Sequence, residues 1–297
     1  MTGLSVQHRG TPTLPALLAV AAATAQEFGA AFAVGLFASL GVAGTVFARF
    51  LVASIVLCVM VRPRIHGLDR RAFGAIVALA VTLTTMNLLF YEALSRIPLG
   101  IAVTVEICGP LLLSVLLNRR WAGWIWALVA FSGVALLGLG GGPLPAANMI
   151  GLVLAAGAAV SWAGYILATA HAGKVFANLD ALALATVLGA LLTAPAAVLS
   201  VNLGAALHWE VAGLVVVVGL MCSVIPYSLE LIALRSLPAS TFAVLTSLSP
   251  AIAAVAGWLI LRQQLGLTDY LAVSLVVIAS AGAVRSTAPL GPNRSID

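Results

Sequence analysis

Glu106 and Pro110 stand four residues apart, and that spacing concentrates chemistry at one point. A proline inside a helix has no N–H to donate and clashes with the carbonyl four residues earlier, so Pro110 frees the backbone oxygen of Glu106 beside that residue's own carboxylate. Pro250 does the same to Thr246. Both prolines lie in long apolar runs. There a freed carbonyl or an ionisable side chain is tolerated only where protein or a water-filled cavity satisfies it, and a charge near midspan costs roughly 2.5–3.5 kcal/mol on insertion scales. Such a group suits an ammonium ion or a proton, and Glu106 is the first candidate for a binding site.

Arg49 and Glu27 are charges of the same kind, each well inside an apolar run. With Glu106 about 12 Å below the outer edge of its span at 1.5 Å per residue, all three can share one half of the bilayer, where a Glu–Arg pair cancels much of the insertion cost. Arg49 equally suits a structural ion pair that fastens spans together, and Glu27 is open to either role. Asn87 and Tyr91 are i and i+4, hence on one helical face, and Trp162 and Tyr165 are i and i+3. A polar and aromatic face inside a bundle can line a substrate path, and for Trp162 ordinary packing is the alternative. Pro226-Tyr227-Ser228-Leu229-Glu230 combines a helix break, a phenol and a carboxylate. Glu230 there is either an inner gate or a side chain that pairs with Arg235 or reaches the headgroups, and Glu92 has a similar route to water.

The elements that must position these residues follow from composition. Of 297 residues, 62% are hydrophobic and 8% charged, and the mean hydropathy is +1.16. Soluble domains carry nearer one quarter charged residues, so the solvent here is a bilayer. A span takes roughly 20 apolar residues. Ten are expected, near 14–36, 43–61, 72–94, 98–117, 121–140, 149–171, 180–200, 209–233, 238–261 and 267–285. With the amino terminus inside, Arg9, Arg62, Arg64, Arg70, Arg71, Arg119, Arg120, Lys174, Arg235, Arg285 and Arg294 fall on the cytoplasmic side, against Arg96 and Arg262 outside. This places both termini in the cytoplasm. The net charge of +5 therefore reports orientation, not nucleic-acid binding.

The sequence also repeats. Ala93-Leu94-Ser95-Arg96-Ile97-Pro98 returns as Ala233-Leu234-Arg235-Ser236-Leu237-Pro238, and Pro110 returns as Pro250, all at an offset of 140. Five spans per copy is an odd number, so the second copy is inverted relative to the first, as in many transporters. The expected fold is an all-α membrane protein of ten transmembrane helices in two inverted five-helix repeats, residues 14–140 and 149–285.

Other chemistries lack their motifs. Cys58, Cys108 and Cys222 form no C-x-x-C pair and read as packing residues; His8, His66, His171 and His208 show no H-E-x-x-H spacing, so no metal site is expected. Gly140-Gly141-Gly142 is not followed by the Lys-Ser/Thr of a phosphate loop, so no ATP motor and no soluble cofactor is implied. Trp121, Trp124 and Trp126 beside Arg119-Arg120 read as an interfacial aromatic belt. The stretch from His8 to Ala25 imitates a cleavable signal, but the apolar run resumes at Phe28, and we read it as the first span. Asn293-Arg294-Ser295 is a chance sequon in a tail expected to be cytoplasmic.

The chain resembles the EamA-type drug/metabolite transporter superfamily, and within it the bacterial threonine/homoserine exporter group. The resemblance rests on Gln26, Arg49, Asn87, Phe90-Tyr91, Pro98-Leu99-Gly100-Ile101-Ala102-Val103, Glu106 and Gly109-Pro110 in the first half. In the second it rests on Trp162, Tyr165-Ile166-Leu167, Pro226 to Glu230, Ala233-Leu234, Leu237-Pro238, Thr241-Phe242 and Pro250-Ala251. Two positions depart from the pattern: Ser249 stands where many members have a glutamate before the proline, and Arg262-Gln263-Gln264 where they have Gly-Glu. The resemblance implies a carrier, not an enzyme, in the bacterial inner membrane. It would export small polar metabolites, amino acids such as threonine and homoserine foremost, by proton-coupled alternating access, with protons and membrane lipid as its other partners. Efflux of drugs or other hydrophobic compounds is the alternative within transport, and an intramembrane enzyme or lipid-handling protein the alternative outside it. Glu106 would take the substrate ammonium or a proton, and Arg49 or the backbone freed near Pro110 and Pro250 would help hold the substrate.

Overall fold

The computed structural model describes residues 13–63, 68–118, 121–139, 146–176, 179–200, 204, 208–234 and 245–287. Among them all regular structure is helical: α1 (Thr13–Val34), α2 (Phe37–Val61), α3 (Arg70–Leu94), α4 (Leu99–Glu106), α5 (Cys108–Asn118), α6 (Trp121–Leu139), α7 (Ala146–Ala172), α8 (Asp180–Ser200), α9 (Trp209–Gly219), a π-helical turn (Leu220–Val224), α10 (Ile225–Leu234), α11 (Ser249–Leu261) and α12 (Leu267–Thr287). Because α4 and α5 form one broken rod and α9, the π turn and α10 another, the described helices make ten rods. Six have the length and apolarity to cross a membrane: Leu14–Val34, Phe37–Val61, Arg70–Leu94, Leu99–Leu117, Asn148–Ala172 and Asp180–Ser200. The other four are shorter apolar helices.

Polarity is turned inside out. Leu199, Val198, Val160 and Phe131 face outward, whereas Glu27, Arg49, Asn87 and Glu106 are all buried. Water would not tolerate that apolar shell, and lipid requires it. The buried core is rich in alanine, which lets helix backbones approach closely. Among the described glycines the approach is closest at Gly109: a Cβ there would overlap the backbone carbonyl of Ala159, so this point of the α5–α7 crossing requires glycine.

Helix ends follow local chemistry. The Asp69 carboxylate accepts the Ala72 N–H at 2.7 Å and starts α3. Gln263, in one of the departures from the family pattern, caps α4: its side-chain oxygen accepts the Leu99 N–H at 3.0 Å. The second span begins earlier than expected, because α2 runs from Phe37 through a bend at Gly41. Gly41 has φ +68°, and a Cβ there would lie 2.9 Å from that of Ser200. The fourth span breaks at Ile107, as the missing N–H of Pro110 demands. Pro250 acts differently. It does not sit inside a continuous helix but in the first turn of α11, where a proline loses nothing. The first part of the expected ninth span, residues 238–244, lies outside the described residues.

The rods pair in a regular way. The most extensive interfaces are α3 with α7, α2 with α8, α6 with α12, and α1 with the rod formed by α9, the π turn and α10. The broken rod α4–α5 packs against both α11 and α7, and α1 against α11.

Candidate functional site

Arg49 organises the centre of the bundle. It projects from the buried face of α2, and its guanidinium bonds to two other rods. Toward α3, Nη1 donates to Asn87 Oδ1 and, at 3.3 Å, to the Tyr91 hydroxyl. Toward the π turn, Nε donates to Ser223 Oγ at 3.1 Å and Nη2 to the backbone carbonyl of Cys222 at 2.6 Å. The guanidinium carbon also lies 5.8 Å from the centre of the Tyr91 ring.

Each partner is itself held. Asn87 donates its amide to the Leu83 carbonyl at 2.8 Å, which turns its oxygen toward the arginine. Tyr91 is fully buried against Phe37 and Phe90, with ring centres 5.8 and 6.1 Å away, and its hydroxyl lies 3.8 Å from the Cys222 thiol. The Cys222 carbonyl is four residues before Pro226, which has no N–H to offer it. The chain adds a wide π step here, with the Ile225 N–H reaching the Leu220 carbonyl. Close passage of α1 past this turn needs Gly29, where a Cβ would come within 2.6 Å of the Cys222 sulfur.

Two carboxyl groups line the same cavity as the guanidinium. Glu106, at the end of α4, is an electrostatic neighbour of Arg49. Glu27, on α1, adjoins Glu106 and the Ser249 hydroxyl at the start of α11. Thus α1, α2, α3, α4, the π turn and α11 meet around three charges. Residues of α1, α2, α3, α4, α5, α7 and the π turn, with Thr246, line a cavity of about 320 Å³, at the lower end of the ~300–1,000 Å³ usual for small-molecule sites. Gln26, Glu27, Arg49, Asn87, Tyr91, Glu106, Cys222 and Thr246 are among its polar lining residues; Ala30, Met86, Phe90, Pro110, Trp162, Tyr165 and Ile166 complete the lining.

Of the residues singled out in the sequence, Glu106, Arg49, Glu27, Asn87, Tyr91, Trp162, Tyr165 and Pro110 meet at this cavity, and Ser249 stands at its edge beside Glu27. Pro226 is buried just beyond the π turn, and Pro250 opens α11. The side chains of Tyr227 and Glu230 lie outside the described residues. Glu92 takes no part: it forms an ion pair at 2.5 Å with Arg96, just beyond the end of α3. Ser223 and the Cys222 carbonyl were missed. The rule that linked Pro110 to Glu106 also links Pro226 to Cys222, and that was the available signal.

The EamA-like transporter family model matches residues 149–285. The threonine/homoserine exporter RhtA of Escherichia coli (strain K12) is 33% identical over 271 residues, 91% of each chain. Its namesake in Salmonella typhimurium (strain LT2) is 32% identical over the same share of both. A crystal structure of another protein, at 19% identity and a TM-score of 0.58, covers 93% of this chain and 97% of its own, a likeness that shows the fold alone. With a relative of this identity over nearly its whole length, the chain belongs to the EamA-like transporter family, and is a multi-pass membrane transporter rather than an enzyme.

Proposed function

We propose that this protein exports small polar amino acids, threonine and homoserine foremost, across the bacterial inner membrane by proton-coupled alternating access. One observation carries the reading: the buried residues Glu27, Glu106 and Arg49, two carboxyl groups and a guanidinium, line one cavity of about 320 Å³. Glu106 takes the substrate ammonium and, when the substrate leaves, a proton. Arg49 supplies the positive charge that keeps a buried carboxylate tolerable. The names of the RhtA relatives supply the substrate class.

The pairing of rods supports two inverted five-helix repeats, residues 14–140 and 149–285. Exchanging each of the first five rods with its counterpart five places later turns the α3–α7 interface into that of α1 with the α9–α10 rod. The same exchange leaves α2–α8 and α6–α12 unchanged. A pseudo-two-fold axis in the membrane plane has this property, and it lets one half adopt the other's conformation to open the cavity to either side. Both termini then lie in the cytoplasm, with lipid around the apolar exterior.

The deciding experiment measures threonine and homoserine export from cells expressing the chain, with and without a protonophore, against empty vector. Protonophore-sensitive export is expected. Membrane insertion without export would reject the substrate assignment. The apolar side of the cavity, with Met86, Phe90, Trp162 and Ile166, favours a second reading, efflux of hydrophobic compounds. Drug resistance without amino-acid export would select it.

A further inference from the structure

An amino acid brings two charges, and the cavity is not equally prepared for both. Among the described residues that line it, Glu27 and Glu106 are the anions and Arg49 the cation. The lining thus offers two carboxyl groups to a substrate ammonium and one guanidinium to a substrate carboxylate. Among the described lining residues the guanidinium is the cation that could pair with a substrate carboxylate, and that guanidinium is committed. Nε is on Ser223, Nη1 on Asn87 and Tyr91, and Nη2 on the Cys222 carbonyl at 2.6 Å, so four of its five N–H donors are directed at the protein. These bonds tie α2 to α3 and to the π turn, and recruiting Arg49 to a ligand would break the junction of three rods. The rest of the wall is compatible with a cation, since it includes the aromatic residues Phe90, Trp162 and Tyr165, whose rings attract cations over their faces.

We infer that the site recognises the substrate's ammonium group and dispenses with its carboxylate, so that small primary amines lacking a carboxylate are ligands and substrates of the same cavity. This rests on the amino-acid export reading and sharpens it. Arg49 becomes a positioning residue for the three rods and the counter-charge of Glu106, not a clamp on the substrate.

The test compares two analogues of threonine in proteoliposomes holding the full-length protein. Threoninol keeps the amine and replaces the carboxylate with an alcohol. N-acetylthreonine keeps the carboxylate and loses the charge on nitrogen. Counterflow of labelled threonine and, separately, of labelled threoninol is followed against excess unlabelled competitor. The expected result is that both labelled compounds exchange, that threoninol competes about as well as threonine, and that N-acetylthreonine is at least about tenfold weaker. Threonine exchange to which threoninol is inert, or in which N-acetylthreonine competes as well as threoninol, would overturn the inference and leave amino-acid export standing. Threoninol exchange without threonine exchange would instead overturn the amino-acid assignment and leave ammonium recognition in place. If neither compound moves, both fall.

Discussion

Arg49 Nη2 bonds to the backbone carbonyl of Cys222 at 2.6 Å, across 173 residues of sequence. That carbonyl lies four residues before Pro226, and the π turn carries it toward α2. A charge-assisted bond to backbone cannot be removed by changing the acceptor's side chain, so the junction depends on the arginine and on the proline-shaped turn. Arg49→Ala leaves Asn87, Ser223 and the carbonyl without this donor and Glu106 without its counter-charge. The expected loss is about 3–5 kcal/mol of stability, the range for removing one partner of a buried pair, seen as a lower unfolding temperature in detergent. Arg49→Lys keeps the charge without the planar fork and should be intermediate in stability, with transport reduced. Wild-type stability in Arg49→Ala would remove the basis for a structural role.

Glu106→Gln keeps the shape of the side chain and discards its charge. The protein should still insert, because Arg49 keeps its bonds to Asn87, Tyr91, Ser223 and the Cys222 carbonyl. Transport should fall by the equivalent of about 2–5 kcal/mol, the usual effect of removing one member of a buried charge pair. Export rates normalised to the amount of membrane protein test this. Unchanged transport would reject Glu106 as the ammonium and proton site.

Glu27 and Ser249 are neighbours across the contact of α1 with α11. Ser249→Ala removes one hydrogen-bonding partner from the carboxylate and should cost about 1 kcal/mol in transport, while Ser249→Thr, which retains the hydroxyl, should cost less. A more demanding test uses proximity. If the cavity needs a second carboxylate beside Glu106, Glu27→Gln should lower export and the double variant Glu27→Gln/Ser249→Glu should recover part of it. A double variant no better than Glu27→Gln would show that the acid must come from α1.

The residues gathered at the cavity were mostly visible in the sequence, for one reason. In an apolar chain every buried charge must have a partner, so Glu27, Arg49 and Glu106 identify themselves, and helical spacing joins Asn87 to Tyr91. Which partner each takes was not visible. Glu92 and Glu106 have the same chemistry, but only the fold shows Glu92 pairing with Arg96 and Glu106 facing Arg49. Backbone acceptors leave still less trace: the Cys222 carbonyl is announced only by Pro226, and the π turn by nothing in the local composition. Pro250 shows the converse, since the same residue type that breaks the fourth span begins α11. Ser249, conspicuous as a departure from the family pattern, gained a physical meaning only when α1 placed Glu27 beside it.

Gly109 tests the scaffold separately from the charges. It directly precedes Pro110 on the broken rod, and a Cβ there would overlap the carbonyl of Ala159. The obstacle is backbone, with no flexible side chain to swing aside, so Gly109→Ala must push α5 from α7 and disturb the wall that holds Trp162 and Tyr165. A loss of about 1–3 kcal/mol is expected, typical of overpacking, with transport impaired although no charged residue has changed. Gly74 on α3 is the control, because a Cβ there meets nothing within 4 Å, and Gly74→Ala should raise helix stability by about 1 kcal/mol. Unfolding temperatures and export rates of the two variants, measured side by side, separate tight packing from a general intolerance of alanine. Equal behaviour of the two would mean that the α5–α7 crossing is looser than its geometry requires.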